Sequence, residues 1–447
     1  MVDKHGLLSA PIGETLRKMT LPMTMGMITI LLFNFIDTFF VSLLGTHALA
    51  AISFTFPVTF AINCITMGMG VGLSTHIGRS LGQHKPLDAA RLSTHGLLLA
   101  ILLVALASTL GLLSIRPLFQ ALGASEELLP LIEQYMTIWY VTVPLLVIPM
   151  AGGSAIRATG DTKTPAKLMM LSGLANGVLD PLLIFGYGPF PELGIQGAAI
   201  ASALSWFGVM LGILFVLQKK KLIKTPQLSH LFDDWRHILT VGTPAALSNA
   251  MTPLASGIIM KMLSTHGTAA VAAYGAAQRV ESLLLIVLMS LTSVLTPFMA
   301  QNFGANQVKR SFAGLFLSMR FSVIFQTLLF VMMVPLSMPI AHLFAQEDSV
   351  RQLVWLYLIT VPIAYGFQGV LMMLISSLNA QHKSINAFAW SVTRLFAFVL
   401  PSAWCGSYIA GAWGIFAGIA IGNILAGIAA YLSALRDRKY ALDHTSR

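Results

Sequence analysis

The sequence predicts an all-α polytopic membrane protein with twelve transmembrane helices in two pseudo-symmetric six-helix lobes. Three observations carry that prediction. Of 447 residues, 27 are Lys or Arg and 17 Asp or Glu, so charge is 10% of the chain, while apolar residues make up 56%. An ordinary soluble domain is about 25% charged. The apolar residues fall into twelve long runs punctuated by Gly, Pro and charge, and the pattern of the first half returns in the second.

A helix needs roughly 20 apolar residues to cross the hydrocarbon core of a bilayer. Runs of that length or longer predict helices over 15–44, 48–79, 89–114, 127–155, 164–187 and 193–217, then 235–263, 269–300, 309–336, 349–378, 384–408 and 411–435. Ile115 to Gly123 reads as an interfacial elbow. The polar segment Gln218 to Asp234 separates a first lobe, residues 1–217, from a second, residues 235–447, with a tail at its end. Arg17 and Lys18 follow a polar start, and the first run is too long for the apolar core of a cleavable signal. Cys64 and Cys405, the only two cysteines, lie inside apolar runs and form no disulfide framework or CxxC motif.

The basic residues set an orientation. With the N-terminus in the cytoplasm, 21 Lys and Arg fall on the inner side, Arg116 and Arg351 on the outer side, and four within spans. The positive-inside bias therefore places both termini, and the Lys219, Lys220, Lys221 and Lys224 cluster, in the cytoplasm. The net charge of +10 is accounted for by orientation, and nucleic acid is not expected as a partner.

The repeat has a fixed offset. Pro22 matches Pro244, Gly45-Thr46 matches Gly267-Thr268, Ala50-Ala51 matches Ala272-Ala273 and Gly82 matches Gly304, each 222 residues apart. Gly194 and Gly197 match Gly411 and Gly414 at an offset of 217. Six helices per repeat is an even number, so both halves enter the membrane from the same side, as in parallel-repeat transporters.

Ionisable groups inside a membrane are costly and mark function by default. Three acids lie deep within the spans: Asp37 on the first helix, Asp180 on the fifth and Glu281 on the eighth. Asn176 is one turn from Asp180 on the same face, and Ser202 on the sixth helix reaches a similar depth. Together Asp37, Asn176, Asp180 and Ser202 define a candidate polar pocket in the outer half of the first lobe. Burial disfavours a charged carboxylate, so such a pair exchanges protons near neutral pH; the same oxygen set also suits a desolvated Na⁺. Alternatively, each Asp simply hydrogen-bonds a neighbouring helix. The repeat puts Ile259 opposite Asp37 and the Leu395 to Leu400 run opposite Asn176 and Asp180, so the second lobe lacks a counterpart.

Pro22 removes a backbone hydrogen bond from the first helix and is a candidate hinge, or a static kink. Gln278, Arg279 and Glu281 form a polar group on the eighth helix with a gating or structural role, and Arg394 or Lys261 are available as neutralising partners. The 23 methionines, including Met19, Met23, Met25 and Met27, suit a cavity for varied apolar ligands but also ordinary packing. Gly414, Gly418 and Gly422 read as small-residue helix packing. No GxxxxGK[ST] phosphate loop and no HExxH motif occurs, so an ATP-driven machine or an embedded metalloprotease is not expected, nor is an organic cofactor.

Three motifs carry a resemblance. Gly78-Arg79-Ser80-Leu81-Gly82-Gln83, the segment Ile156-Arg157-Ala158-Thr159-Gly160-Asp161-Thr162-Lys163-Thr164-Pro165, and Ala272-Ala273-Tyr274-Gly275-Ala276-Ala277-Gln278-Arg279 resemble the multidrug and toxic compound extrusion (MATE) family over essentially the whole chain. Pro22, Asp37, Asn176 and Asp180 match its DinF-like branch, and the resemblance implies that they form a first-lobe cation site. Branches that use acids on the seventh and tenth helices find no match here. The resemblance further implies two six-helix lobes around a V-shaped cleft in the bacterial inner membrane. It implies a transporter, not an enzyme, that exports amphipathic, often cationic drugs and dyes by antiport with H⁺ or Na⁺. The alternative is a flippase for lipid or polysaccharide precursors from the same broader superfamily.

Overall fold

The computed structural model describes residues 6–345 and 347–445; the outermost residues of both termini, whose side of the membrane the charge bias assigns, lie outside the described residues in part. The described chain is helical throughout, and ten of its helical stretches are long and apolar enough to cross a membrane. The last of these, Ser384–Asp443, is two helices, because Ala410 and Gly411 leave helical geometry at its middle. Leu228–Ser264 is a further 37-residue helix whose polar first turns lower its hydropathy. Twelve spans result, and the chain is a multi-pass membrane protein.

We number them α1 (Ile12–Ser42), α2 (Thr46–Gly82), α3 (Pro86–Leu113), α4 (Leu129–Ala158), α5 (Lys163–Ile184), α6 (Ile195–Lys219), α7 (Leu228–Ser264), α8 (Thr268–Gly304), α9 (Val308–Phe344), α10 (Asp348–Ala380), α11 (384–410) and α12 (411–445). The elbow expected after the third span is a short helix, Ile115–Ala121, closed by Gly123 at φ +91°. Two units emerge, one of Lys18–Ala246 and one of Gly6–Arg17 with Leu247–Arg447. Residues Gly6–Arg17 go with the second unit, which a division at residue 217 does not anticipate. Their backbone is the reason: Arg310 donates to the Leu7 carbonyl at 3.2 Å and the Ala10 carbonyl at 2.5 Å, and Asn302 to Leu7 at 3.2 Å.

The internal repeat is visible in the backbone. Gly45 and Gly267 both open a helix at φ near +107°, with values of +109° and +106°. His84 and Asn306 both turn at φ +60°, and Gly194 and Gly411 at +55° and +61°. These are the offsets of 222 and 217 residues read from the sequence. Small residues set the distance between α11 and α12: a Cβ at Gly418 would meet Ser402 and Ala403, and one at Gly422 would lie 2.6 Å from the Val399 Cα.

Helix α7 begins seven residues earlier than the sequence suggests, and the segment before it is fastened to α3. His95 is fully buried. Its Nε2 accepts from the Gln227 backbone at 3.0 Å, which leaves the ring proton on Nδ1 to be donated to Asp234 at 2.7 Å. Arg91 also donates to Asp234 (2.9 Å), Trp235 Nε1 to the His95 carbonyl (2.8 Å), and the Lys224 backbone to Thr94 (3.0 Å). Asp234 therefore belongs to a docked helix start and not to a solvated linker, while Asp233 beside it is exposed.

The loop motif Gly160 to Pro165 is a cap. Asp161 accepts from the Thr164 backbone at 3.0 Å and its hydroxyl at 2.8 Å, and pairs with Lys220 at 2.9 Å, while Thr162 donates to the Met19 carbonyl at 2.8 Å. Burial alone would raise the Asp161 carboxyl; the Lys220 and Thr164 hydrogen bonds outweigh it and hold the group below its ordinary 3.8. A depressed carboxyl stabilises the fold above the ordinary carboxylate range and loses that contribution as pH falls through its folded value. Replacing Asp161 with Asn should lower stability at neutral pH by about 1–3 kcal/mol. Thermal unfolding of the detergent-purified protein checks this: the difference between variant and parent should close as the pH is taken below the ordinary carboxylate range.

Candidate functional site

The sequence-identified acids meet because α1 and α5 run parallel in a close register. Met19 contacts Thr162, Gly26 lies against Ala166, and Phe33 lies over Gly173 and Gly177. A Cβ at Gly26 would be 3.2 Å from the Ala166 Cα, and one at either Gly173 or Gly177 would be 2.6 Å from the Phe33 ring. Without side chains at those two positions, a flat ring fits between the helices. One turn beyond Phe33, on the same face, comes Asp37, and it faces Asp180 across the interface.

The Asp37 and Asp180 carboxyl groups lie beside one another and interact directly. Asp180 is fully buried and Asp37 half-buried. Asn176 Nδ2 donates to Asp180 Oδ1 at 3.2 Å and lies 3.4 Å from Ser202 Oγ, which gathers all four sequence-identified residues into one cluster. Asp37 Oδ1 and Asp180 Oδ2 remain buried with no hydrogen-bond partner. A carboxylate oxygen is an acceptor only, so two adjacent carboxylates in a low dielectric require a proton or a cation beside them. Among the described residues no Lys or Arg supplies it. These hard oxygens would hold a shared proton or a small, hard cation such as Na⁺.

Local sequence supports the placement. Pro181, immediately after Asp180, has no N–H, which leaves the Gly177 carbonyl without its helical partner beside the cluster. Gly197 lets α6 approach the Leu183–Ile184 backbone of α5, and the Leu193 and Gly194 amides donate to the Leu183 and Ile184 carbonyls at 3.0 and 3.1 Å. That clamp fixes Ser202 against Asn176. Helix α1 continues unbroken through Pro22, so a hinge there is a latent weakness in a continuous helix.

Several residues of the site do not stand out in the sequence. Tyr135 on α4 lies within electrostatic reach of both Asp37 and Asp180. It also lines a cavity of about 180 Å³ with Thr55, Phe56, Thr59 and Asn63 of α2, Trp139 and Leu146 of α4, Trp206 of α6 and Ile52. Trp139 and Trp206 meet edge to face, with ring centroids 6.5 Å apart. The cavity is therefore aromatic on two sides and polar along α2, and Tyr135 is the lining residue within electrostatic reach of the acids. The only signal in the sequence was helical spacing: Tyr135 and Trp139 are four residues apart, as are Ser202 and Trp206. A π-helical segment at Ile148–Gly152, containing Pro149, interrupts α4 just beyond Leu146.

The polar group on α8 divides. Gln278 donates to Ser256 at 2.9 Å and to the Tyr274 hydroxyl at 2.8 Å; Arg279 is exposed; Glu281 accepts from the Tyr357 hydroxyl at 2.6 Å and lies within electrostatic reach of Arg394. Ile259, the repeat position of Asp37, is buried. Lys261 pairs with neither residue among the described interactions. None of this α8 group joins the acid cluster.

A twelve-span helical membrane protein with an acid pair buried among its helices is the architecture of a membrane transporter. The MatE family model matches residues 22–182 and 244–405, one match per repeat, and the chain belongs to that family. It is 46% identical over 439 residues to a protein named FAD transporter from Shewanella oneidensis, covering 98% of this chain and 97% of that one. It is 27% identical to the probable multidrug resistance protein YoeA of Bacillus subtilis, covering 83% and 82%. Among solved structures, the Vibrio cholerae MATE transporter VcmN in the bent form matches with a TM-score of 0.92 at 31% identity, over 96% of this chain and 98% of that one.

The Phe33 contact sets the separation of the acids. Gly177→Val should overpack it and destabilise the protein by about 1–3 kcal/mol. The thermal midpoint should fall, and adding Phe33→Ala, which empties the contested space, should recover part of the loss.

Proposed function

We propose that this chain is a cation-coupled antiporter of the bacterial inner membrane that exports flat aromatic solutes, and that Asp37 and Asp180 are its coupling groups. One observation supports this above the others: two interacting buried carboxyl groups each keep an unpartnered oxygen, within electrostatic reach of a tyrosine that lines an aromatic cavity. Asn176 and Ser202 complete the cation pocket. Both termini are taken to be cytoplasmic on the charge bias.

The mechanism follows from occupancy. Entry of H⁺ or Na⁺ from outside satisfies the facing oxygens and neutralises the pocket. With the carboxyl groups satisfied the loaded state is disfavoured, α1 gives at Pro22, and the solute leaves outward. Exchange is driven only if cation and solute favour opposite states of the same pocket.

Flavin adenine dinucleotide is the substrate we favour, from the 46% relative; amphipathic cationic drugs are the second reading, from the relatives at 24–27% identity named for multidrug resistance or export. Drug-sized ligands fill pockets of about 300–1,000 Å³. The cavity of about 180 Å³ takes one fused ring system, of which the isoalloxazine is an example, between Tyr135, Trp139 and Trp206. The flippase reading draws no support from the relatives named above.

Proteoliposome flux tests the reading, with flavin dinucleotide and ethidium as alternative cargo under an imposed pH gradient without Na⁺, or a Na⁺ gradient without ΔpH. Gradient-driven movement of either is expected, and the effective gradient identifies the ion. Asp37→Asn should reduce driven flux to that of protein-free liposomes while leaving the unfolding midpoint within a few degrees of the parent. Full-rate driven flux in that variant would overturn the role of the pair.

A further inference from the structure

A cavity of about 360 Å³ opens between α11 and α12 at their charged ends, wholly within the second unit. Asn386, Trp390 and Thr393 line it from one stripe of α11, and Ser433 and Asp437, one turn apart, line it from α12. Lys383, in the turn before α11, closes its mouth: the ammonium pairs with one Asp437 oxygen at 2.5 Å, while Gln381 donates to the other at 2.6 Å. Arg436, Arg438 and Lys439 are exposed around Asp437, so the mouth lies at a membrane surface, the cytoplasmic one on the charge bias. Thr393 is nine residues beyond the first of α11, roughly 14 Å deeper and at the level of the hydrocarbon. Many Ser and Thr hydroxyls in the spans return to their own helix, as Ser391 does to the Ala387 carbonyl at 3.2 Å. The Thr393 and Ser433 hydroxyls, the Trp390 indole N–H and the Asn386 amide have no hydrogen-bond partner among the described residues.

Polar groups at hydrocarbon depth are costly unless something satisfies them. An occupant that does so has to reach from the membrane surface down to Thr393, which a phospholipid does and a small soluble ion does not. The charges at the mouth narrow the class. Lys383 alone would favour an anion and Asp437 alone a cation; side by side they match a headgroup that carries both signs. We propose that this cavity binds a phospholipid whose headgroup bears a phosphate and a primary ammonium. Lys383 and the Asn386 amide donate to the phosphate, the ammonium donates to Asp437, and the Trp390, Thr393 and Ser433 donors meet the ester oxygens below. A loop-closing ion pair alone accounts for Lys383 and Asp437 but not for the open donors beneath them. Such a lipid ties the ends of α11 and α12 together. The site stands within this unit and rests on no reading of the cargo or of the coupling cation.

The test is lipid retention by the full-length, detergent-purified protein, read by native mass spectrometry. The probe is an equimolar mixture of phosphatidylethanolamine, phosphatidylglycerol and phosphatidylcholine with matched chains. The first carries both required groups, the second lacks the ammonium, and the third lacks its N–H donors. Phosphatidylethanolamine should be retained about tenfold or more over each of the others, the ratio that one charge-assisted hydrogen bond sets. Asp437→Asn should abolish that preference. Thr393→Val and Trp390→Phe, which leave the ion pair intact, should each lower phosphatidylethanolamine retention by about threefold or more. Equal retention of the three lipids by the parent, or greater retention of phosphatidylglycerol, would overturn the proposal, as would a preference that survives Asp437→Asn. If Asp437→Asn does not fold, the other two variants decide, since undiminished retention in both contradicts the assigned donors. Excess glycerophosphoethanolamine, which has the same headgroup and no chains, should leave the lipid in place. Displacement by it would reveal a site for a soluble zwitterion and overturn the bilayer as the source.

Discussion

Two adjacent carboxylates in a low dielectric require a proton or a cation beside them, and the first unit is arranged around that constraint. In water the pair would separate and hydrate. Here α1 and α5 are locked in parallel register by Thr162 on Met19, by Gly26 on Ala166, and by Phe33 on a pair of glycines. The acids have nowhere else to go. Asn176 donates to Asp180 and lies against Ser202, Pro181 withholds the amide that would otherwise close the helix beside them, and α6 is clamped to the end of α5 through Gly197. The same packing that stabilises the unit thus keeps two carboxyl groups together in a low dielectric.

The duplication shows which features are scaffold and which are chemistry. Backbone turns recur in both copies with nearly the same dihedral angles, at Gly45 and Gly267, His84 and Asn306, and Gly194 and Gly411. The side chains at the functional level do not recur. Ile259 stands where Asp37 is expected, and Arg394 stands beside the level of Asp180. A fold repeated for its packing has been given opposite charge in its two copies.

Much of this was legible in the sequence because hydrocarbon makes ionisable residues conspicuous. Asp37 and Asp180 stand out in apolar runs, Asn176 is one helical turn from Asp180, and Ser202 follows from depth alone. The spans themselves were readable from length and composition, and the capping segment at Gly160 to Pro165 from its motif. What escaped detection was apolar or distant in sequence. Tyr135, Trp139 and Trp206 look like packing residues until three helices bring them around one cavity. Phe33 and its glycines reveal their role only once α1 and α5 are paired. The start of α7 was misplaced because Asp233 and Asp234 read as solvated loop residues, while the partners that bury Asp234, Arg91 and His95, lie some 140 residues earlier. Glu281 could be suspected from its depth, but its Tyr357 partner on another helix could not.

The fastening of residues 222–235 onto α3 bears on how the connection between the repeats responds to proteases. By composition, Lys219, Lys220, Lys221 and Lys224 make it the richest tryptic target in the chain. Cleavage requires about a dozen residues to adopt an extended, unfastened path across the enzyme. Lys224 exposes its side chain, yet its amide is held by Thr94, Leu222 is buried, and Gln227 is anchored to a fully buried histidine. Digestion of this stretch therefore reports the undocking of a buried polar latch, and the rate of nicking becomes a clock for that local opening.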